Sequence, residues 1–349
     1  VKTAGLFINY DRESSNVFFT EKGLNLKYHK WDQKNRYHYS ENQTLLENGD
    51  ILMIVRFDGL DQLIMYGIKS PVGHTAMILD INKSLQVVES TDINPVSYEA
   101  YQEIVWGIKP KYSGIIKTPI KEWLDVAQYK GKLVSLIKIS KSIKQKLDFN
   151  KIIKRFNELE GCTYGYQNLL FGWIDSYKDN FPYGLSMELL NSLLPYVEYL
   201  FPEMISIVFM ETFNHRLGYH KLDNYGNYII DQNKKLNNTL QLFQELYKRQ
   251  LSFTDLMIID EQDNWFYNTG PNNTYSNSYV CNVLVGELLK NGGLDLSNIT
   301  EMTPKDLYSL NIFEKNIDIY KKLGCRDKYL GMKNHTFCQL FGNYRMDFI

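Results

Sequence analysis

GHTAMILDINKSLQVVEST, residues 73 to 91, decides how this chain folds. GHTAMILD and LQVVEST are rich in apolar and β-branched residues, and INKS between them carries turn residues, so the two runs read as an antiparallel hairpin. With the turn centred between Ile81 and Asn82, His74 faces Glu89, Ala76 faces Val87 and Ile78 faces Leu85. Directly opposed residues share a sheet face. A turn shifted by one residue on each strand brings Thr91 opposite His74 instead. In the first register Glu89 can accept a ring N–H, fix the imidazole's tautomer and stabilise its charged form. A half-buried histidine beside a solvated carboxylate at a strand end is the structural alternative.

Outward from the hairpin, GDILMIVRF (49–57) predicts another strand, and EIVWGIK (103–109) and KLVSLIKI (132–139) are β-like. Between these last two, TPIKEWLDVAQ (118–128) predicts a short helix capped by Thr118, with Pro119 at its first position. KSIKQKLDFNKIIKRFNELEG (141–161) reads as a helix with Leu147, Ile152, Ile153, Phe156 and Leu159 on its apolar positions, stopped at Gly161. A long, largely helical stretch covers 167–263, and a further helix starts at Thr303-Pro304. Residues 1–48 show no clear periodicity, and there is no internal repeat.

SNSYVCNVLVGELLKNGG, residues 276 to 293, predicts a helix from about Ser278 to Asn291, ended by Gly292-Gly293. Ser276, Asn277 and Ser278 are all good N-caps, and Cys281, Leu284, Val285 and Leu288 form one face. A thiol in the first turn of a helix feels the positive end of the macrodipole and free backbone N–H groups, which favour thiolate. A lone cysteine on an apolar helix face is more often packing. A third piece, GCTYGYQN (161–168), follows the 141–161 helix directly.

In that order, GD followed by GHTAMIL and a downstream acid, then a helix ending in G-x-x-Y, then YVCNVLV opening an apolar helix, the chain resembles the circularly permuted papain-like thiol hydrolases. These include the YiiX-type branch and relatives of lecithin:retinol acyltransferase within the NlpC superfamily. The resemblance covers roughly 45–92, 130–170 and 275–293. It implies an α+β fold in which an antiparallel sheet packs against the cysteine-bearing helix. It also implies Cys281 as nucleophile, His74 as base, Glu89 as the group orienting the base, and Tyr164 as an oxyanion donor, with Tyr166 its competitor. Relatives place the tyrosine close before the cysteine; here Tyr164 and Cys281 are far apart, implying a large, mainly helical insertion. The expected organisation is an N-terminal extension (1–48), a core from 49–166 and 275–300, an insertion at 167–274, and a C-terminal helix and tail at 301–349.

The function expected of such a site is hydrolysis of a peptide or amide bond through a thioester. An acyl-ester hydrolase or acyltransferase is the enzymatic alternative, suggested by the apolar run 187–213. A silent structural or surface protein keeping the scaffold is the non-enzymatic one.

Lys and Arg total 39 against 40 acids, a net charge of −1, so no strong field would recruit nucleic acid or an anionic membrane. No transmembrane segment is expected, because Pro195, Pro202, Glu198, Glu203 and Glu211 interrupt the longest apolar stretch. No cofactor or metal is expected: His215 and His220 lack acidic partners at ligand spacing, and no phosphate-cradling glycine loop is present. Cys325 and Cys338 are spaced for a disulfide loop, with two reduced thiols the alternative. N-glycosylation triplets begin at Asn42, Asn82, Asn237, Asn272, Asn298 and Asn334. Together with the cysteine pair they point to a secreted or lysosomal setting, with a leader removed before Val1.

Overall fold

The computed structural model describes residues 12–31, 45–57, 60–68, 70–91, 114–167, 209–270, 274–297, 299–325, 330 and 336–347. The architecture is mixed α+β, built around one antiparallel sheet. Its strands are β2 (Ile51–Val55), β3 (His74–Ile81), β4 (Ser84–Thr91), β5 (Gly114–Pro119), β6 (Leu133–Ile137) and β10 (Cys338–Phe341), lying side by side in the order β10-β6-β2-β3-β4-β5. β2 and β6 are buried along their whole length, as strands covered on both faces are; β2 is apolar throughout, and Ser135 alone interrupts the apolar run of β6.

Side-chain alternation divides the sheet between two cores. On one face Ile51, Met53, Met77, Val88 and Leu133 pack against Leu284, Val285 and Leu288 of the helix Cys281–Asn291, and against Ile152 and Phe156 of the helix Phe149–Leu159. On the other, Leu52, Ile54, Ala76, Ile78, Val87 and Leu136 meet Ile120, Trp123 and Leu124 of the helix Ile120–Tyr129. Three layers result, and the sheet is the middle one. Full burial of each such aliphatic side chain contributes about 1.5–3 kcal/mol before entropy is counted.

The hairpin forms in the alternative register. Met77 pairs with Val88 and Ile78 with Val87, not Leu85. The reason is the turn. Asn82 and Lys83 both take positive φ, 55° and 63°, giving a two-residue turn whose twist matches the strands. Extended along the ladder, this register sets Ala76 opposite Glu89, so Glu89 is the diagonal rather than direct neighbour of His74. Diagonal neighbours share a face and stay within reach of long side chains.

Other boundaries also move. Thr118 stays in β5, and the following helix begins at Ile120 with Pro119 as its N-cap and no side-chain cap. The 141–161 helix is two, Lys141–Lys144 and Phe149–Leu159. Asp148 caps the second by accepting from the N–H groups of Asn150 and Lys151. At Thr303 a capping box with Asp306 opens the helix Pro304–Ser309. EIVWGIK lies outside the described residues, as do 168–208, most of the apolar run within the expected insertion. The stretch 209–270 holds helices Glu211–Arg216, Thr239–Arg249 and Phe253–Met257, with a small sheet of β7 (His220–Leu222), β8 (Tyr228–Ile230) and β9 (Trp265–Phe266).

Residues from early and late in the described chain pair with each other. A helix, Arg12–Gly23, leads into β1 (Lys27–Lys30), which pairs with β11 (Tyr344–Asp347). Tyr28, Phe57 and Tyr344 stack edge to face beneath this pair. Cys325 and Cys338 form a disulfide, fixing the start of β10 to the end of the helix Ile317–Lys322. Of the sequon asparagines, Asn82 and Asn237 are exposed, and Asn42, Asn272, Asn298 and Asn334 lie outside the described residues. Among the described residues no helix is long and apolar enough to cross a membrane.

Candidate active site

Cys281 opens its helix. Val280 is the N-cap, extended at φ −80° and ψ 172°, and no side chain caps the first turn. The predicted caps Ser276, Asn277 and Ser278 lie before the helix instead, in an extended approach. That approach is fixed at Tyr279, whose carbonyl accepts from Ser90 Oγ on β4 at 2.6 Å and from the Gly165 N–H at 3.0 Å. Gly165 is required at this crossing, because a Cβ there would overlap the Tyr279 backbone. Arg155 holds the same segment from the helix Phe149–Leu159, donating to the Tyr279 hydroxyl at 3.0 Å and to Glu287 at 2.7 Å. The sulfur's position is thus set by β4, by the 161–167 segment and by a neighbouring helix.

His74 is the first residue of β3, at the end of the sheet, where a group from the opposite layer can meet its ring. Its Nε2 lies 2.7 Å from Glu89 Oε2. The other carboxylate oxygen, Oε1, accepts from the Trp123 indole N–H at 2.7 Å. Glu89 is fully buried and His74 is 1% exposed. A buried charge at this depth is tolerated only when paired and hydrogen-bonded, and Glu89 is both. With Nε2 engaged, Nδ1 is the ring nitrogen left for the Cys281 sulfur, which acts on the ring's electrostatics.

The electrostatics follow from these contacts. Burial pushes the Glu89 carboxyl up, but the His74 hydrogen bond and charge, aided by Lys132 and Trp123, outweigh it and hold the group near 2. Burial pushes His74 down, but the Cys281 sulfur and then Glu89 raise it to about 9. For Cys281 burial is again the largest effect, and it raises the thiol. His74, the Thr75 N–H and Arg56 together bring it below its ordinary value. Thiol down and imidazole up is the signature of an ion pair.

Arg56 follows β2 and is locked to the buried Asp61, with Nε and Nη2 at 3.1 and 2.9 Å from Oδ1. Gly73, just before His74, leaves room for that carboxylate: a Cβ would sit 2.6 Å from the Asp61 carboxyl carbon. Asn282, next to Cys281, has its Oδ1 3.5 Å from Sγ. Sequence reading missed Trp123, Arg56, Asp61 and Asn282, none of which stands out in periodicity or spacing.

Tyr164 lies in the 161–167 segment, which meets the Cys281 approach at Gly165. It is buried, stacks edge-on with Tyr166 at 5.0 Å, and with it lines a cavity of about 400 Å³ shared with Gln167, Glu211, Asn214 and Gln232. Gln167 joins that cavity to the Cys281 approach: it donates to Glu211 at 3.0 Å and accepts from Ser278 Oγ at 3.4 Å. The structure brings Cys281, His74 and Glu89 together, and Tyr164 lines the cavity beside the Cys281 approach. His215 and His220 belong elsewhere, beside Trp265, where burial pulls the His215 pKa down to about 3. No protein-family model, no curated protein and no solved structure matches this chain.

Proposed function

We propose that this chain is a thiol hydrolase that cleaves a peptide or amide bond at Cys281 and folds as a permuted papain-like enzyme. The single observation carrying the reading is the buried sulfur–imidazole–carboxylate line, with Trp123 on the last oxygen. His74 takes the thiol proton, and Glu89 keeps the imidazolium oriented and compensated. The thiolate attacks the carbonyl carbon, and the developing oxyanion meets the uncapped N–H groups at the start of the Cys281 helix. Collapse expels the amine, which takes a proton from His74, and leaves a thioester. Water, deprotonated by His74, then hydrolyses that ester and restores the thiol. Tyr164 and Tyr166 are assigned to the substrate side, in the cavity beside the approach.

A silent scaffold is the second reading, and burial favours it: Cys281 is only 3% exposed. One experiment separates the possibilities. The protein is offered peptide amides and, separately, acyl esters, with intact-mass detection of a thioester and iodoacetamide labelling near pH 6. Amide turnover with a Cys281 adduct is the expected result. Ester turnover alone would convert the reading to an acyl hydrolase. No turnover, with labelling only after unfolding, would leave the scaffold.

A further inference from the structure

Asn282 presents a buried polar group that the mechanism above leaves unused. The residue is 3% exposed, and among the described residues its Nδ2 has no hydrogen-bond partner. Buried amide N–H groups are almost always paired, so an orphan one calls for an acceptor present in another state of the site. The three residues that follow it, Val283, Leu284 and Val285, are apolar and buried. Asparagine is also a poorer helix former than the leucine that the space could take. Among the described residues its side-chain hydrogen bond is with the reacting atom, Oδ1 at 3.5 Å from Cys281 Sγ.

We propose that Asn282 is a further catalytic residue, whose side-chain amide follows the charge on the sulfur. While Cys281 is a thiol, Oδ1 accepts its S–H. When the proton passes from Sγ to His74 Nδ1, the acceptor has nothing left to accept. Rotation of the amide by half a turn then sets Nδ2 on the thiolate, so that a donor replaces the acceptor. No other bond forms or breaks in this step. The rotation satisfies the orphan donor in the charged state and adds a hydrogen bond that the thiol state lacks, so it favours the thiolate. The charged groups facing the sulfur are His74 from β3 with Glu89 behind it on β4, and Arg56 after β2 with Asp61. Asn282 is the neutral member of this shell. This role rests on the thiol-hydrolase reading above.

The test is a pH titration of thiolate ultraviolet absorbance, taken as the difference from Cys281→Ala, which needs no access to the sulfur. Asn282→Leu keeps the branched heavy-atom skeleton, though with bulkier methyl groups, and removes the amide. It is expected to raise the Cys281 midpoint by about one pH unit, the scale of one hydrogen bond to a charged group. Asn282→Asp, nearly isosteric, is expected to raise it further by opposing the thiolate, and carries the test if the leucine variant fails to fold. A midpoint unchanged in Asn282→Leu, or in Asn282→Asp should that variant alone fold, overturns the role of Asn282 alone, provided the wild-type midpoint is low and rises in His74→Ala. An ordinary wild-type midpoint that His74→Ala leaves in place overturns both this role and the reading it rests on.

Discussion

Cys281→Ala is expected to abolish amide turnover, and His74→Ala to lower kcat by about 10⁴- to 10⁶-fold. The double variant is expected to be no worse than Cys281→Ala alone. Nucleophile and base act as a unit: without the ring the sulfur keeps its proton, and without the sulfur the ring has nothing to deprotonate. The two variants should differ in the thiol itself. His74→Ala removes the strongest of the effects that lower the Cys281 pKa, so burial then dominates and the midpoint rises above that of an ordinary thiol. Steady-state kinetics on the substrate found for the wild type, with an acyl-adduct mass for each variant, checks this. A His74→Ala enzyme with undiminished kcat would remove the ring from the chemistry.

The second large effect is on stability. Glu89→Leu is expected to cost about 3–5 kcal/mol at pH 6, since it strips the His74 imidazolium of its hydrogen-bonded carboxylate and leaves only the Cys281 sulfur to compensate it. It also strips the Trp123 N–H of its acceptor. Glu89→Gln keeps the size and can still accept from Trp123, so its cost should be smaller, while the His74 pKa falls.

The pH dependence follows from the two shifts. Glu89 is lowered from 4.5 to about 2 on folding, so its contribution is present above 4.5 and is lost as the pH falls through 2. His74 is raised from 6.5 to about 9, so its contribution is full below 6.5 and is lost as the pH rises through 9. Both are intact between about 4.5 and 6.5. Urea unfolding at pH 6 and pH 9 should therefore show the cost of Glu89→Leu shrinking at the higher pH. An equal cost at both would mean that Glu89 stabilises something other than a charged ring.

The hairpin and the cysteine-bearing helix were legible because their signals are local and strong. ILMIV in β2 is apolar throughout since both faces are covered, and the apolar face of the Cys281 helix shows helical spacing. The register was not fixed by local signals. INKS permits two centres, and the choice fell to positive φ at Asn82 and Lys83, which Lys does not advertise as Gly would. Glu89 and His74 met nonetheless, because both registers keep them on the same face. That parity, more than the exact pairing, was the information the residues carried.

What stayed hidden depends on contacts between distant segments. The helix Arg12–Gly23 has little amphipathic contrast, with Asn16 and Thr20 buried beside Val17, so periodicity cannot find it. β5 ends in Thr118-Pro119, a pair that reads equally well as a helix start. Trp123 looks like an ordinary core aromatic on the helix Ile120–Tyr129. Its indole N–H matters only because β4 carries Glu89 past it. Asn282 is one more polar residue in a helical first turn until the sulfur beside it is considered.

Nitrogen NMR of the His74 side chain, assigned by loss of its signals in His74→Gln, tests the three-group line most directly. A ring protonated on both nitrogens at pH 7, losing its proton near pH 9, is expected, with a clearly lower titration in Cys281→Ala as the sulfur's charge disappears. A ring already neutral at pH 7, or one whose titration ignores the loss of the sulfur, would contradict the three-group line.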